Sequence, residues 1–407
     1  MRLVIVVLAA TVTIARADDR TPVSLAQVLA AVARAPGAQV GGYEIVAADA
    51  GVAAASAWAN PALHLGTSRL TARLIASATL PLPVFGTRGA ARRVAAGQAG
   101  VVRAEAALAL RELRRRAIVA WIELARAWAD AKAAQVTANQ AVDLERIAHG
   151  RLGAGTGAEV DVTVAVAGRL RAQATAGAAQ LAENAASAEL AGVLGWDPER
   201  LLRAEGAPVI GPAGELPALR DRLVAHPERA AAAQRIGVAD ASVERVRAER
   251  WPALALEAEL DVDDVTLTEG HTVWDRSDAR IGVSLDLPVF ARLGARQRQA
   301  RAAAQAERAR LVALDAELAG RLSASYRRWQ AGTERLAALE RDIIPALDRA
   351  AALSMQAYRD GARDLSSALV AERELATARA EVNDARAAAA LAFAELTLAA
   401  GDEGHAE

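Results

Sequence analysis

The chain has 407 residues, 53% of them hydrophobic, with a formal net charge of −1 and no cysteine. The near-zero charge gives no basis for binding nucleic acid, and the absence of thiols excludes disulfides, thiol catalysis and a lipidated N-terminal cysteine. Lys132 is the single lysine among many arginines, a bias expected from base composition rather than function.

Residues 1–17 read as a secretory signal. Arg2 supplies the positive start, Leu3 to Ile14 the short apolar core, and Ala15-Arg16-Ala17 the small-residue cleavage site. No later segment is apolar enough, for long enough, to predict a transmembrane helix. The first structural repeat is expected over 18–205. It opens with short helices, the first announced by the capping-box pattern Ser24-x-x-Gln27. A β-hairpin follows at about 62–83, where Ala72, Leu74, Ala76, Ala78, Leu80 and Leu82 alternate with Thr71, Arg73, Ser77 and Thr79. From Thr87 onward there is no proline and Ala, Leu, Arg and Glu dominate, which predicts a helix over 87–150, roughly 90 Å long at ~1.5 Å per residue. A partner helix is predicted over 158–196, and a Gly/Pro-rich linker over 206–217.

The second repeat is expected over 218–401, with a hairpin at about 253–288, long helices at about 294–357 and 363–400, and a flexible tail at 402–407. Collinear matches carry this duplication. Ala35-Pro36 answers His226-Pro227, and Asn60-Pro61-Ala62-Leu63 answers Trp251-Pro252-Ala253-Leu254. Leu82-Pro83-Val84-Phe85 answers Leu287-Pro288-Val289-Phe290, Glu112-Leu113 answers Glu317-Leu318, and Gly155 answers Gly361. The spacing between copies lengthens by about 14 residues between the two strand segments, as an inserted surface loop does.

Helices this long need coiled-coil partners, since globular helices average about 11–12 residues. The strand segments present one apolar and one charged face, as transmembrane β-barrel strands do; a one-sided soluble sheet reads similarly. The export signal and the shortage of other strands favour the barrel. Two strands per copy give four per chain, open edges are not tolerated in hydrocarbon, and the smallest bacterial barrels use about eight strands. Several chains must then share one barrel.

In duplicated order these strand-flanking motifs and helix turns, Arg151 to Val162 and Tyr358 to Leu365, resemble the TolC-like outer-membrane factor (outer membrane efflux protein) family across essentially the whole mature chain. The resemblance implies a mainly α fold with a small membrane β part. Tandem-duplicated long coiled coils and four strands per chain would form a homotrimer with a twelve-stranded β-barrel in the outer-membrane lipid and a helical tunnel in the periplasm. Ser24 to Arg34, Leu216 to Ala225 and the 206–217 linker would form a belt around that tunnel. The implied function is the outer-membrane channel of a tripartite efflux pump, a passive conduit fed by an inner-membrane transporter of the resistance-nodulation-division type through a periplasmic adaptor. A type I protein-secretion channel and a soluble periplasmic coiled-coil scaffold are the alternatives.

Gly153, Gly155, Gly157 and Gly361 sit where the long helices must reverse, and the resemblance makes these turns the tip that meets the adaptor. The acidic residues that the family often carries six and nine positions past the second-copy glycine are here Ser367 and Val370. Arg363 with Asp364 or Asp161 is the expected charge pair holding the tip closed. His64, His149, His226, His271 and His405 are dispersed and the only methionines are Met1 and Met355, so no metal site is expected. Gly153-x-Gly155-x-Gly157 follows no strand and is no phosphate loop. No cofactor is expected, and no catalytic set; the chain does not read as an enzyme.

Overall fold

A computed structural model describes residues 20–68, 73–268, 271–288 and 293–402, without the side chains of 68, 73, 263–268 and 271–276. The signal at 1–17, nearly all of the 402–407 tail, and Val289 and Phe290 of the repeated motif lie outside the described residues.

The chain divides into two compact units. The first comprises residues up to Gln39, Leu110–Arg222 and Gly320 onward. It begins with strand β1 (Thr21–Ser24) and helix α1 (Leu25–Val32), where the Ser24 hydroxyl accepts from the Gln27 backbone N–H at 3.3 Å and the Gln27 side chain accepts from the Ser24 N–H at 2.9 Å. The capping box expected from sequence is formed. Helix α3 (Thr87–Gly153) runs 67 residues without a break, about 100 Å at ~1.5 Å per residue. Helix α4 (Glu159–Leu194) returns and leads into strand β4 (Leu202–Glu205), which pairs in parallel with β1.

This β1–β4 pair was not anticipated. It is too short to show a period, and what holds it is tertiary: Trp121 donates its indole N–H to the Val23 carbonyl at 2.9 Å, and the buried Ser187 hydroxyl accepts from the Leu202 N–H at 2.6 Å. Val28, Val32, Leu124, Leu190 and Leu202, each 0% exposed, close the core around it.

Helix α5 (Leu216–Arg222) and a short 3-10 turn follow, and in the second copy the counterpart of α3 is interrupted. Helix α7 (Leu293–Ala338) passes into a π-helical segment, Leu339–Ile343, before α8 (Ile344–Arg359); α9 (Leu365–Ala399) returns. Pro345 explains the break: it brings no N–H and crowds the carbonyl four residues before it, and a wider turn relieves both. Leu336, Leu339, Val382, Ala385 and Ala389 pack around the widened turn.

The second unit comprises Val40–Ala109 and Leu223–Ala319. Most of helix α2 (Pro36–Ser56) lies in it, as does helix α6 (Pro227–Ala248), capped by His226, whose Nδ1 accepts from the Glu228 N–H at 3.3 Å. Strands β2 (Ala62–Ser68), β3 (Arg73–Leu82), β5 (Ala253–Thr268) and β6 (His271–Asp286) form one antiparallel sheet in the order β2-β3-β5-β6. Arginine–carboxylate pairs tie the helices of this unit, Arg235 to Glu105 at 2.7 Å and Arg308 to Asp240 at 2.8 Å, with Arg103 bonded to Asp49.

Candidate functional site

Two features, one in each unit, bear on function. In the second unit the register of the sheet decides which residues share a face. Leu63 lies beside Ala78, Ala78 beside Ala258, and Ala258 beside Ile281; Leu80, Leu256 and Val283 form another such row, and Leu82, Leu254 and Leu285 a third. Because side chains alternate along a strand, these rows make one continuous apolar face. It faces solvent: Leu63 is 71% exposed, Leu65 72% and Ile281 83%. An exposed apolar patch of this kind marks an interaction with a partner or a membrane. The opposite face carries His64, Ser77, Glu259 and Arg280 in one row, with Arg280 reaching Glu259 at 3.5 Å and Asp278 at 3.2 Å. Among the described residues the sheet ends on two edge strands, β2 and β6, each paired on one side only.

In the first unit lie the two helix reversals. After α3 the chain turns through Gly155 (φ 74°), where the Thr156 N–H returns to the Arg151 carbonyl at 3.0 Å. After α8 it turns through Gly361 (φ 78°), with the Ala362 N–H donating to the Ala357 carbonyl at 2.8 Å. Both glycines hold the left-handed conformation that closes a helix in a Schellman turn. Gly157 is needed for a different reason: a Cβ there would stand 2.8 Å from the Leu152 nitrogen. At Gly153 a side chain would meet open space.

The two reversals are fastened together by a residue that sequence reasoning passed over. Arg151 donates from Nη1 to the Tyr358 carbonyl at 2.6 Å and from Nη2 to the Thr156 carbonyl at 3.1 Å, and its guanidinium lies 4.6 Å from the centre of the Tyr358 ring. Tyr358 is fully buried, packed with Leu144, Ala148, Val162, Leu365 and Ala368. Its hydroxyl has no hydrogen-bond partner among the described residues. Burial, then the nearby Asp161 carboxylate, push the phenol above its ordinary pKa. The available signal was the Arg-to-Gly spacing at Arg151 and Gly155 beside a tyrosine before Gly361; nothing in the sequence shows that the two meet.

Among the described residues Arg363 forms no ion pair with Asp364 or Asp161 of its own chain. Asp364, the N-cap residue of α9, accepts instead from the hydroxyls of Ser366 and Ser367, which hold its carboxyl below its ordinary range. Arg363 is exposed and has no ion pair among the described residues, while Asp161 lies half-buried in the first turn of α4. Two short serine hydroxyls reach Asp364 at once from its own helix, whereas an exposed arginine gives up rotamer freedom to do so. Among the described residues no group of His, Cys, Asp or Glu could hold a metal ion, and no helix is long and apolar enough to cross a membrane.

Residues 218–402 match the family described as outer membrane efflux protein. Solved structures align over 93% of this chain. They include the outer-membrane channel OprN (21% identity, 89% of that chain, TM-score 0.75) and the outer membrane protein VceC from Vibrio cholerae (18%, 96%, 0.73). A third is CusC, whose structures concern transmembrane channel formation (16%, 92%, 0.78). No curated protein matches in sequence. The chain therefore has the TolC-like fold of outer-membrane channels, and its second half carries their sequence signature.

Proposed function

We propose that this chain, TolC-like in fold, is the outer-membrane channel of a tripartite efflux pump and works as a homotrimer. The observation that carries the proposal is the four-stranded sheet with one exposed apolar face and two open edges. Such a sheet is costly in water, because the face is bare, and costly in lipid, because the edge N–H and C=O groups lack partners. Joining β2 of one copy to β6 of the next satisfies the edges, and lipid then covers the face. Three copies give twelve strands, with the apolar face toward lipid and the row of Glu259 and Arg280 lining the pore.

The helices next to those open edges support the same joining. On α2, which leads into β2, Val40, Tyr43, Ala47, Ala50 and Ala54 are exposed at alternating three- and four-residue steps. On α7, which follows β6, Ala302, Ala306, Ala309, Ala313 and Ala316 are exposed at the same steps, with Val312 71% exposed beside them. Two such seams fit a coiled coil between neighbouring copies, and alanine lets the helices approach closely.

In this reading the pump energy comes from an inner-membrane transporter of the resistance-nodulation-division type. A periplasmic adaptor meets the reversals at Gly153 to Gly157 and Gly361. The conduit is passive. The Arg151–Tyr358 fastening holds each protomer's two hairpins together at the tip, and Arg363, Asp364 and Asp161 stay available for pairing between protomers. Fractionation of cells expressing the full chain tests the reading. A trimeric, heat-modifiable band in the outer membrane supports it; a monomer in the soluble periplasmic fraction defeats it in favour of the scaffold alternative.

A further inference from the structure

We infer that the strand–helix junction of the second unit is a binding collar for anionic glycerophospholipids, an inference that rests on the membrane-barrel reading above. The register places the start of β2, the end of β3, the start of β5 and the end of β6 at one end of the sheet, where Leu82, Leu254 and Leu285 share the apolar face. Large aromatic side chains stand exposed in the links at that end. Trp58, between α2 and β2, is 57% exposed, and Phe85 and Trp251 stack at 5.6 Å with ring planes 12° apart while remaining 40% and 49% exposed. Tryptophan and phenylalanine in such a position suit the boundary between acyl chains and headgroups.

An arginine lies over each tryptophan. The Arg88 guanidinium is 5.5 Å from the Trp58 ring and is steadied by donating to the Ser56 carbonyl at 2.5 Å; that of Arg250 is 5.4 Å from the Trp251 ring. Neither forms an ion pair among the described residues, although Arg103, Arg229, Arg235 and Arg308 of the same unit each hold a carboxylate. Stacking on an aromatic face fixes a guanidinium while leaving its N–H edge open, and that edge matches two phosphate oxygens. An apolar face, an aromatic step and an unclaimed guanidinium in this order match acyl chain, glycerol and phosphate. A free phosphate ion would use only the last of the three.

Native mass spectrometry of the full-length protein in neutral detergent tests this, with phosphatidylglycerol and phosphatidylcholine of identical chains as probes. The wild type is expected to retain phosphatidylglycerol at about tenfold lower lipid concentration. Arg88→Gln with Arg250→Gln abolishes that preference, and the double Lys variant, which keeps charge but loses planar stacking, preserves part of it. Equal retention of the two lipids by the wild type overturns the inference, as does an undiminished preference in the Gln variant or displacement of the lipid by millimolar inorganic phosphate. Should the double variant fail to fold, phosphatidylglycerol with brominated chains decides. Tryptophan quenching that shrinks in Trp58→Phe and Trp251→Phe supports the collar, and quenching unchanged in both removes it. A protein that needs no detergent defeats the channel reading itself, whereas a membrane-embedded trimer indifferent to headgroup defeats only the collar.

Discussion

Arg151 and Tyr358, 207 positions apart in the chain, meet face to ring at 4.6 Å, and the arginine also donates to the tyrosine carbonyl. One side chain thus closes its own helix reversal through Thr156 and holds the other through Tyr358. The two helix reversals are a clasped pair of turns rather than two independent loops.

Removing the clasp has a defined consequence. Arg151→Ala is expected to cost about 1.5–3 kcal/mol locally, the range for hydrogen bonds to charged groups. Amide exchange at Gly361 and Ala362 then accelerates about tenfold or more while amides in the Trp121 core keep their protection. Uniform exchange across both regions in the variant contradicts a local clasp.

Tyr358 contributes chiefly by packing and ring stacking, because its buried hydroxyl has no hydrogen-bond partner among the described residues. Tyr358→Phe is therefore expected to leave the thermal midpoint within a few degrees or raise it, whereas Tyr358→Ala costs about 3–5 kcal/mol. A large loss in the Phe variant points to a hydroxyl contact between protomers.

Glu372 gives a pH signature. Burial pushes its carboxyl above the ordinary 4.5, outweighing Arg379, and Asp348 adds to the rise. A raised folded-state value means that its contribution is fully present below the unfolded-state value and is lost as pH rises through the folded one. Glu372→Gln should be more stable than wild type at pH 7, with the difference closing as pH falls through the raised folded-state value and gone below about 4.5. Denaturation midpoints across that range show it; a gap independent of pH contradicts it.

The proposed seam between copies predicts a loss of assembly without a loss of fold. Tyr43→Glu or Val312→Glu places a charge where a neighbouring helix is expected. Either variant should sediment as smaller species in detergent while keeping wild-type helical circular dichroism. Intact trimers in both variants place the seam elsewhere.

The duplicated helices and hairpins were legible because each signal is long. Some sixty residues without proline after Thr87, and apolar alternation from Leu254 to Val262, outvote local exceptions. Short or solitary features were not. The parallel β1–β4 pair depends on Trp121 and Ser187, which lie far away in the chain. Pro345 was visible, yet a proline inside a helical run signals a break without telling which kind. The reversal glycines were readable from backbone requirements alone, but the role of Arg151 was not, since its partner Tyr358 comes from the other repeat. The pairing of Arg363 with Asp364 or Asp161 was not decidable from one chain's sequence, because Ser366 and Ser367 reach the Asp364 carboxylate within a chain and a pairing partner can come from another copy.

In the proposed assembly the open sheet closes with copies of itself around a pore. The most direct measurement combines native mass spectrometry of the full-length protein in detergent with conductance in a planar bilayer. A complex of three chains that inserts and conducts ions is expected. A single chain of 42.3 kDa or less, stable in water and unable to conduct, would contradict it.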